Sequence, residues 1–300
     1  MSTGISTGSK LTHVESVGLS DEYYELPVLS IAAEDQRLLE RLLDRGLSLR
    51  MRVDVRNHVT PGPLLSANVV GEIPGTEHPG EVVVIGAHFD SWDLSESATD
   101  DGAGVVTVLG AADAIMRSGV RPRRTIRVVL FTGEEQGVLG SRAYVQAHHG
   151  EMPNHVAALF QDEGDGPIVR LELSGRADLI DQVQSVVPAT ERFGTLTVTD
   201  GFYLFTDAFL FTLAGVPGIN LGQDSPNAPT LHHSAADTLD KVDSAIRTRN
   251  AAFVAVLTYW FADRPQRLGR IWSPDETARM LTQMRFTPFL KGIGLWPFPG

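Results

Sequence analysis

The run VVVIGAH, residues 82–88, is almost entirely apolar and ends on a histidine. A strand with one face in water alternates apolar and polar residues. An unbroken run suits a strand covered on both faces, as inside a parallel sheet flanked by helices. On either side the sequence keeps changing period between strand and helix. Downstream, 102–118 reads as a helix rich in Ala, Val and Leu, TIRVVLFT at 125–132 as a strand, 138–148 as a helix and HVAALFQD at 155–162 as a strand. Further helices are expected over 176–187, 205–215 and 240–263, with strands near 193–199 and 217–221. Upstream, 67–73 and 81–87 read as two adjacent strands joined by the turn-rich PGTEHPG. Such alternation predicts an α/β fold, a three-layer sandwich with a mostly parallel central sheet flanked by helices. Ligands in such sheets bind outside the carboxyl ends of the strands, so the side chains that close the strands form the candidate site.

Nearer the N-terminus a separate unit is legible. Leu38, Leu39, Leu42 and Leu43 share one face of a helix over 34–45, with acids at its start and Gly46 as its stop. Leu47, Leu49, Met51, Val53 and Val55 alternate with polar residues and predict a strand over 47–55. Residues 26–31 read as another short strand, and HVTPGP separates the unit from the rest of the chain.

A chain of 300 residues and 32.5 kDa has room for one large core, or a core with a small appendage. With 42% hydrophobic and 21% charged residues it has the composition of an ordinary soluble globular protein. Lys and Arg number 25 against 37 Asp and Glu, and the resulting charge of -12 disfavours nucleic acid and anionic membranes as partners. The basic stretch 121–127 contains Pro122 and reads as a solvated loop entering the sheet. Cysteine is absent, which excludes disulfides, thiolate chemistry and cysteine-ligated zinc. The opening MSTGISTGSK lacks the apolar centre of a secretory signal, and no apolar run reaches the roughly eighteen residues of a membrane span. A soluble chain without an export signal is expected, its compartment left open.

Six metal-capable side chains, His88, Asp100, Glu134, Glu135, Asp162 and His233, are spread over the middle of the chain, most of them at or near strand ends. Each alone has an ordinary explanation. A histidine is usually a hydrogen-bonded or surface group, and acids at 100–101 and 134–135 suit helix N-termini. Together they supply what two divalent ions and a general base need. His88 and Asp90, two apart in extended chain, point the same way. His88 can thus offer one imidazole nitrogen to a metal while Asp90 holds the other. Gly102 and Gly104 allow close backbone approach beside Asp100 and Asp101. Adjacent side chains diverge, so one of Glu134 and Glu135 can ligate while the other addresses a water. His233 lies in the loop TLHHSAADTLD, where Asp237 reads as a cap of the helix after it. Mixed nitrogen and oxygen donors suit zinc. In two-metal sites the ions stand about 3.5–4 Å apart over a shared water, and a nearby glutamate can take that water's proton and return it to a departing amine. Amide hydrolysis is the reaction such a set serves. Phosphoester hydrolysis competes, but the motifs lack a basic phosphate clamp.

The strings HFDSWD at 88–93, ATDDGAG at 98–104, FTGEEQGVLGS at 131–141, FQDEG at 160–164, TDAFLFTLAGVP at 206–217 and LHHSAADT at 231–238 resemble the M28 family of metallopeptidases, most closely its carboxypeptidase Q-like branch. The resemblance covers roughly 25–263. It implies two zinc ions per chain on an α/β sheet and cleavage of dipeptides or the ends of short peptides. Asp100 would bridge the ions, His88 and Asp162 would complete one, and Glu135 with His233 the other. Glu134 would be the general base and Asp90 would orient His88, with a cis peptide between Asp100 and Asp101. His233 matches the family's H-x-x-x-D spacing to Asp237, leaving His232 to line the substrate pocket. Asp207, Asn220 and the loop 222–232 are further pocket candidates.

Members of this branch carry more chain ahead of the region seen here. Residues 1–60 are expected to be a remnant of a protease-associated-like insert, 61–268 the catalytic domain and 269–300 a C-terminal extension. A truncated gene product, a fragment and a genuinely shortened form all fit this pattern. The aromatics Trp272, Phe286, Phe289, Trp296 and Phe298 would cover a sheet edge, form a subunit contact in a homodimer, or pack loosely. The rival readings are a related acyl hydrolase, a glutaminyl cyclase-like enzyme using one zinc, and a non-catalytic homologue. Relatives of this branch are often secreted.

Overall fold

A computed structural model describes residues 31–299 apart from 55, 57, 59–61, 163 and 205. Among the described residues seven strands form one sheet: β1 (Val69–Ile73), β2 (His78–His88), β3 (Arg124–Phe131), β4 (His155–Phe160), β5 (Ile168–Glu172), β6 (Thr197–Thr199) and β7 (Gly218–Gln223), in the order β1-β3-β2-β4-β7-β5-β6. The central strands β3, β2, β4 and β7 run parallel. Antiparallel pairing is confined to β1 on β3 and β5 on β7, and β6 runs parallel to β5.

The apolar run that predicts the fold is buried on both faces. Val83, Ile85 and Ala87 point to one side of the sheet, among Val108, Ala111 and Ile115 of helix α2 (Ala103–Ser118) and Phe253, Val254 and Leu257 of helix α8 (Ser244–Asp263). Val82 and Val84 point to the other, with Tyr144 of α3 (Leu139–Ala147) and Ala208 and Phe211 of α6 (Asp207–Leu213). The two-residue period of a strand divides the run between two cores.

The helices are α1 (Ala33–Asp44), α2 (Ala103–Ser118), α3 (Leu139–Ala147), α4 (Ile180–Gln184), α5 (Val187–Thr190), α6 (Asp207–Leu213), α7 (Ala228–Leu231), α8 (Ser244–Asp263), α9 (Pro274–Gln283) and α10 (Thr287–Gly292). Three-residue 3-10 turns and a longer one at His149–Asn154 fill several connections. Among the described residues no helix is long and apolar enough to cross a membrane.

Several local expectations are corrected. The strands at 67–73 and 81–87 are not neighbours, because β3 lies between them. β2 already has parallel partners on both sides, so the turn-rich loop instead crosses the start of β3, where Thr76 and Glu77 donate to the carbonyls of Pro122 and Arg123. Residues 47–54 form no strand; Leu47, Met51 and Val53 are exposed, and alternation without a pairing partner does not make one. The strand expected at 26–31 lies almost wholly outside the described residues. The single helix expected over 176–187 is a 3-10 turn followed by α4 and α5, with Pro188 opening the latter. Asp243, not Asp237, caps α8, accepting from the backbone N–H groups of Ala245 and Ile246.

The C-terminal segment is built into the molecule. Helix α9 begins with a capping box in which Ser273 and Glu276 exchange hydrogen bonds with each other's backbone. Met280, Leu281, Leu290, Leu295 and Phe298 pack on Phe209 and Leu210, covering the face of α6 turned away from the sheet. The Arg176 guanidinium lies 4.4 Å from the Trp272 ring centre and pairs with Asp178.

Candidate metal centre

Because β2, β3 and β4 run parallel and in register, their carboxyl ends emerge together. His88 is the last residue of β2, Glu134 and Glu135 follow β3, and Asp162 follows β4. Asp100 comes from the buried turn 98–102 that leads into α2, and His233 from the loop after α7. The peptide between Asp100 and Asp101 is cis.

Asp100 joins two groups of donors. On one side His88 Nε2 lies 3.1 Å from Asp100 Oδ1 and 3.4 Å from Asp162 Oδ1. On the other, His233 Nε2 lies 3.4 Å from Asp100 Oδ2 and 2.9 Å from Glu135 Oε2. Ligand atoms of His88, Asp100 and Asp162 fall within 4.8 Å of one another, as do those of Asp100, His232 and His233. Two groups sharing one carboxylate make the arrangement of a binuclear zinc site. The five residues expected to ligate thus converge, and His232 joins them, 3.7 Å from Asp100 Oδ2 with its ring stacked on that of His233.

The surrounding hydrogen bonds fix this geometry. His88 Nδ1 is held by the backbone carbonyl of Asp90 at 3.0 Å, whereas the Asp90 carboxylate stands 3.8 Å away. That carboxylate accepts from the backbone N–H groups of Glu134 and Glu135. The sequence suggested that the Asp90 side chain orients His88; here its main chain does. Asp237 accepts from the Thr99 N–H and hydroxyl at 2.8 Å each and from the Asp100 N–H at 3.1 Å, pinning the turn that carries Asp100. Asp101 accepts from the Gly104 N–H, and a Cβ at 104 would lie 2.3 Å from its carboxylate, so only glycine fits there.

Burial and charge oppose each other across the cluster. Burial disfavours a charged His88, yet its contacts with Asp100 and Asp162 prevail and raise its pKa well above the usual imidazole value. Burial would raise the Asp100 pKa, but hydrogen bonds from His233 and His88 hold it far below the usual carboxylate range. Burial raises Glu134, helped by the charge of Asp162, and it also raises Glu135, against the hydrogen bond from His233. Glu135 Oε1 is buried without a hydrogen-bond partner among the described residues. Crowded carboxylates with an unused oxygen and two imidazoles need positive charge, and their nitrogen and oxygen donors match divalent zinc. The residues present fit the group.

A cavity of about 270 Å³ opens beside Asp162. Its wall includes Asn220, as expected, together with Arg170, Glu172 and Tyr203, which the sequence did not reveal. Asp207 instead lies buried, its pKa pushed up to about 7 by burial against a hydrogen bond from Ser141. Arg170 and Glu172 belong to β5, whose only signal was the short alternation within IVRLE.

Fold and site together define an α/β metalloprotein with a binuclear, hydrolase-type centre. Residues 68–258 match Peptidase family M28, and the chain belongs to that family. Within it the similarity runs to the carboxypeptidase Q-like branch. Carboxypeptidase Q of Xenopus laevis is 32% identical over 248 residues, covering 82% of this chain and 52% of that protein. Carboxypeptidase Q of Homo sapiens is 31% identical over 249 residues with the same coverage. The chain spans about half the length of the curated relatives it matches. The crystal structure of a peptidase M28 precursor from Shewanella amazonensis superposes with a TM-score of 0.74 at 30% identity, over 88% of this chain and 60% of that one. An aminopeptidase from Aneurinibacillus shares the fold, with a TM-score of 0.56 at 22% identity over 69% of this chain and 50% of that one.

Proposed function

We propose that this chain is a zinc-dependent exopeptidase acting on dipeptides or short peptides. The observation that carries the reading is Asp100, set between His88 at 3.1 Å and His233 at 3.4 Å. Asp100 would be shared by two zinc ions, with His88 and Asp162 holding one and Glu135 with His233 the other. His233 is preferred to His232 because it also meets Glu135 Oε2, at 2.9 Å. Zinc held there would supply a Lewis acid, acidifying a water and polarising the scissile carbonyl. Glu134, whose proton affinity is raised by burial and by Asp162, takes the proton from the attacking water and delivers it to the leaving amine. Asp90 fixes both glutamates by holding their N–H groups. The adjoining cavity of about 270 Å³ is below the roughly 300 Å³ at which pockets for drug-sized ligands begin, a size suited to a chain end. The carboxypeptidase Q relatives support the same activity. Residues 61–268 form the catalytic unit in this reading, and C-terminal residues from Met280 to Phe298 brace α6.

The test is metal content and turnover together. The purified chain, loaded with zinc, is expected to hold two ions and to hydrolyse members of a dipeptide panel. A folded chain that binds no divalent ion, or one that binds two ions and cleaves no dipeptide or short peptide, overturns the reading.

A further inference from the structure

Far from the metal centre, the helical layer of α2, α5 and α8 holds a larger cavity of about 630 Å³. The metal centre lies before the first turn of α2 and the cavity opens at its last, so the length of a 16-residue helix, roughly 24 Å, separates them. The wall is mainly apolar. Ala114, Ala189, Ala252 and Ala255 are too short to fill the space between the helices, and Val256 and Trp260 belong to the same wall. The volume falls within the roughly 300–1,000 Å³ of small-molecule sites. Positive charge borders it through Arg192 and Arg264, neither of which pairs with a carboxylate among the described residues. The Arg264 guanidinium lies 4.3 Å from the Trp260 ring centre, and its Nη1 donates to the Gln182 carbonyl at 3.4 Å. Burial first, and then the charge of Arg124, push the Arg264 pKa below the usual guanidinium value, whereas Arg124 is itself matched by Glu81 at 2.6 Å. The acid in the wall, Asp263, stands 3.9 Å from Arg123 Nε. A half-buried cation beside a second cation needs a counter-charge. Arg264 follows the last residue of α8, but a helix C-terminus offers only about half a negative charge.

From an apolar chamber bordered by an unmatched guanidinium we infer that the chain binds a medium-chain fatty acid, its tail among Ala114, Ala252 and Val256 and its carboxylate on Arg264. The tail removes apolar wall from water, and the planar fork of a guanidinium matches a carboxylate. Stacking on Trp260 already orients that fork. An alcohol of the same length would fill the chamber and leave Arg264 without its counter-charge, and a cationic amphiphile would be repelled by Arg264 and Arg192. The site is separate from the metal centre and does not depend on the peptidase reading.

Calorimetric titration of the zinc-loaded chain with decanoate, 1-decanol and decyltrimethylammonium tests this. Decanoate is expected to bind at least roughly tenfold more tightly than either of the others. Octanoate should bind more weakly than decanoate, by up to about fourfold for each methylene removed. Arg264→Gln is expected to bring decanoate down to the level of 1-decanol. Ala252→Phe and Ala189→Leu fill the chamber from α8 and from α5, and each is expected to weaken decanoate and 1-decanol alike by roughly tenfold or more. Ala252 is half-buried and Ala189 exposed, so at least one filling variant leaves the core packing undisturbed. Decanoate that binds no more tightly than 1-decanol, or equally well in Arg264→Gln, overturns the inference. Binding unchanged in both filling variants places the carboxylate elsewhere, the zinc ions included, and overturns it too. A chain that takes up no decanoate but sediments as a dimer, with the dimer lost in Ala252→Phe, shows that a second copy covers this face instead.

Discussion

The Asp90 carboxylate accepts the backbone N–H of Glu134 at 3.1 Å through one oxygen and that of Glu135 at 3.2 Å through the other. One side chain therefore sets the position of both the proposed base and a proposed zinc ligand, while its own carbonyl steadies His88. Hydrogen bonds to a charged acceptor contribute about 1.5–3 kcal/mol each. Asp90→Ala removes both from the carboxylate and leaves two N–H groups in search of partners. Supporting groups around a metal typically change affinity or activity by roughly 10- to 100-fold when removed. The expected result for Asp90→Ala is a loss of that size in kcat and in zinc affinity, with Asp90→Asn intermediate because it keeps one acceptor. Equal kinetics and equal zinc retention in both variants would show that the two contacts do not position the site.

Glu134→Gln preserves the size and hydrogen-bonding capacity of the side chain but removes the proton acceptor. General-base catalysis contributes roughly 10²- to 10⁴-fold. The variant is expected to bind two zinc ions like the parent while kcat falls by that factor at nearly constant KM. Turnover at the parental rate would assign the base elsewhere.

Asp237 receives three hydrogen bonds from Thr99 and Asp100 inside the protein. Removing it strands three donors beside the bridging carboxylate, at about 1–3 kcal/mol for a buried unsatisfied group. Asp237→Ala is expected to lower the unfolding free energy by at least about 2 kcal/mol in urea titrations and to weaken zinc binding as Asp100 loosens. A stable variant with parental zinc affinity would mean that these three hydrogen bonds do not hold Asp100 in place.

The strand ends were legible because each chemical residue there comes after a long apolar run. VVVIGAH delivers His88 and HVAALF delivers Asp162, and both runs lie in the buried centre of the sheet. His88, Glu135 and Asp162 converge because parallel strands end together, which fold class anticipated, whereas Asp100 and His233 arrive on a turn and a loop and were singled out by the family resemblance. Partners chosen by loops were not legible. Asp237 read as a helix cap because cap and turn anchor share one sequence signature, and only the approach of residue 99 from 138 positions away distinguishes them. Likewise β5 is five residues long, and its Arg170 and Glu172 look like surface charges until the antiparallel pairing with β7 turns them into the cavity. Alternation at 47–55 misled for the opposite reason: the described part of that segment has the period of a strand and no strand to pair with.

Away from the metal centre, His155 predicts how stability depends on pH. Its ring is wholly buried at the start of β4, with Nδ1 3.0 Å from the Glu151 carbonyl and Nε2 3.0 Å from the Tyr144 hydroxyl. The carbonyl can only accept, so Nδ1 carries the proton and Nε2 accepts from Tyr144, whose oxygen in turn accepts from Arg127 at 2.6 Å. A second proton on the ring would be buried, would reverse the Tyr144 contact and would face the Arg127 charge. Burial first, and then Arg127, push the pKa from 6.5 down to about 4 against the pull of the Glu151 carbonyl. Between those values the unfolded chain binds a proton that the native state refuses, so stability is full above about pH 6.5 and falls as the pH drops toward 4. The difference corresponds to about 3 kcal/mol. Urea unfolding measured from pH 7 to pH 4 should show this loss, and His155→Gln should flatten it by that amount even if the variant starts from lower stability. An identical slope in parent and variant would place the acid sensitivity in other groups.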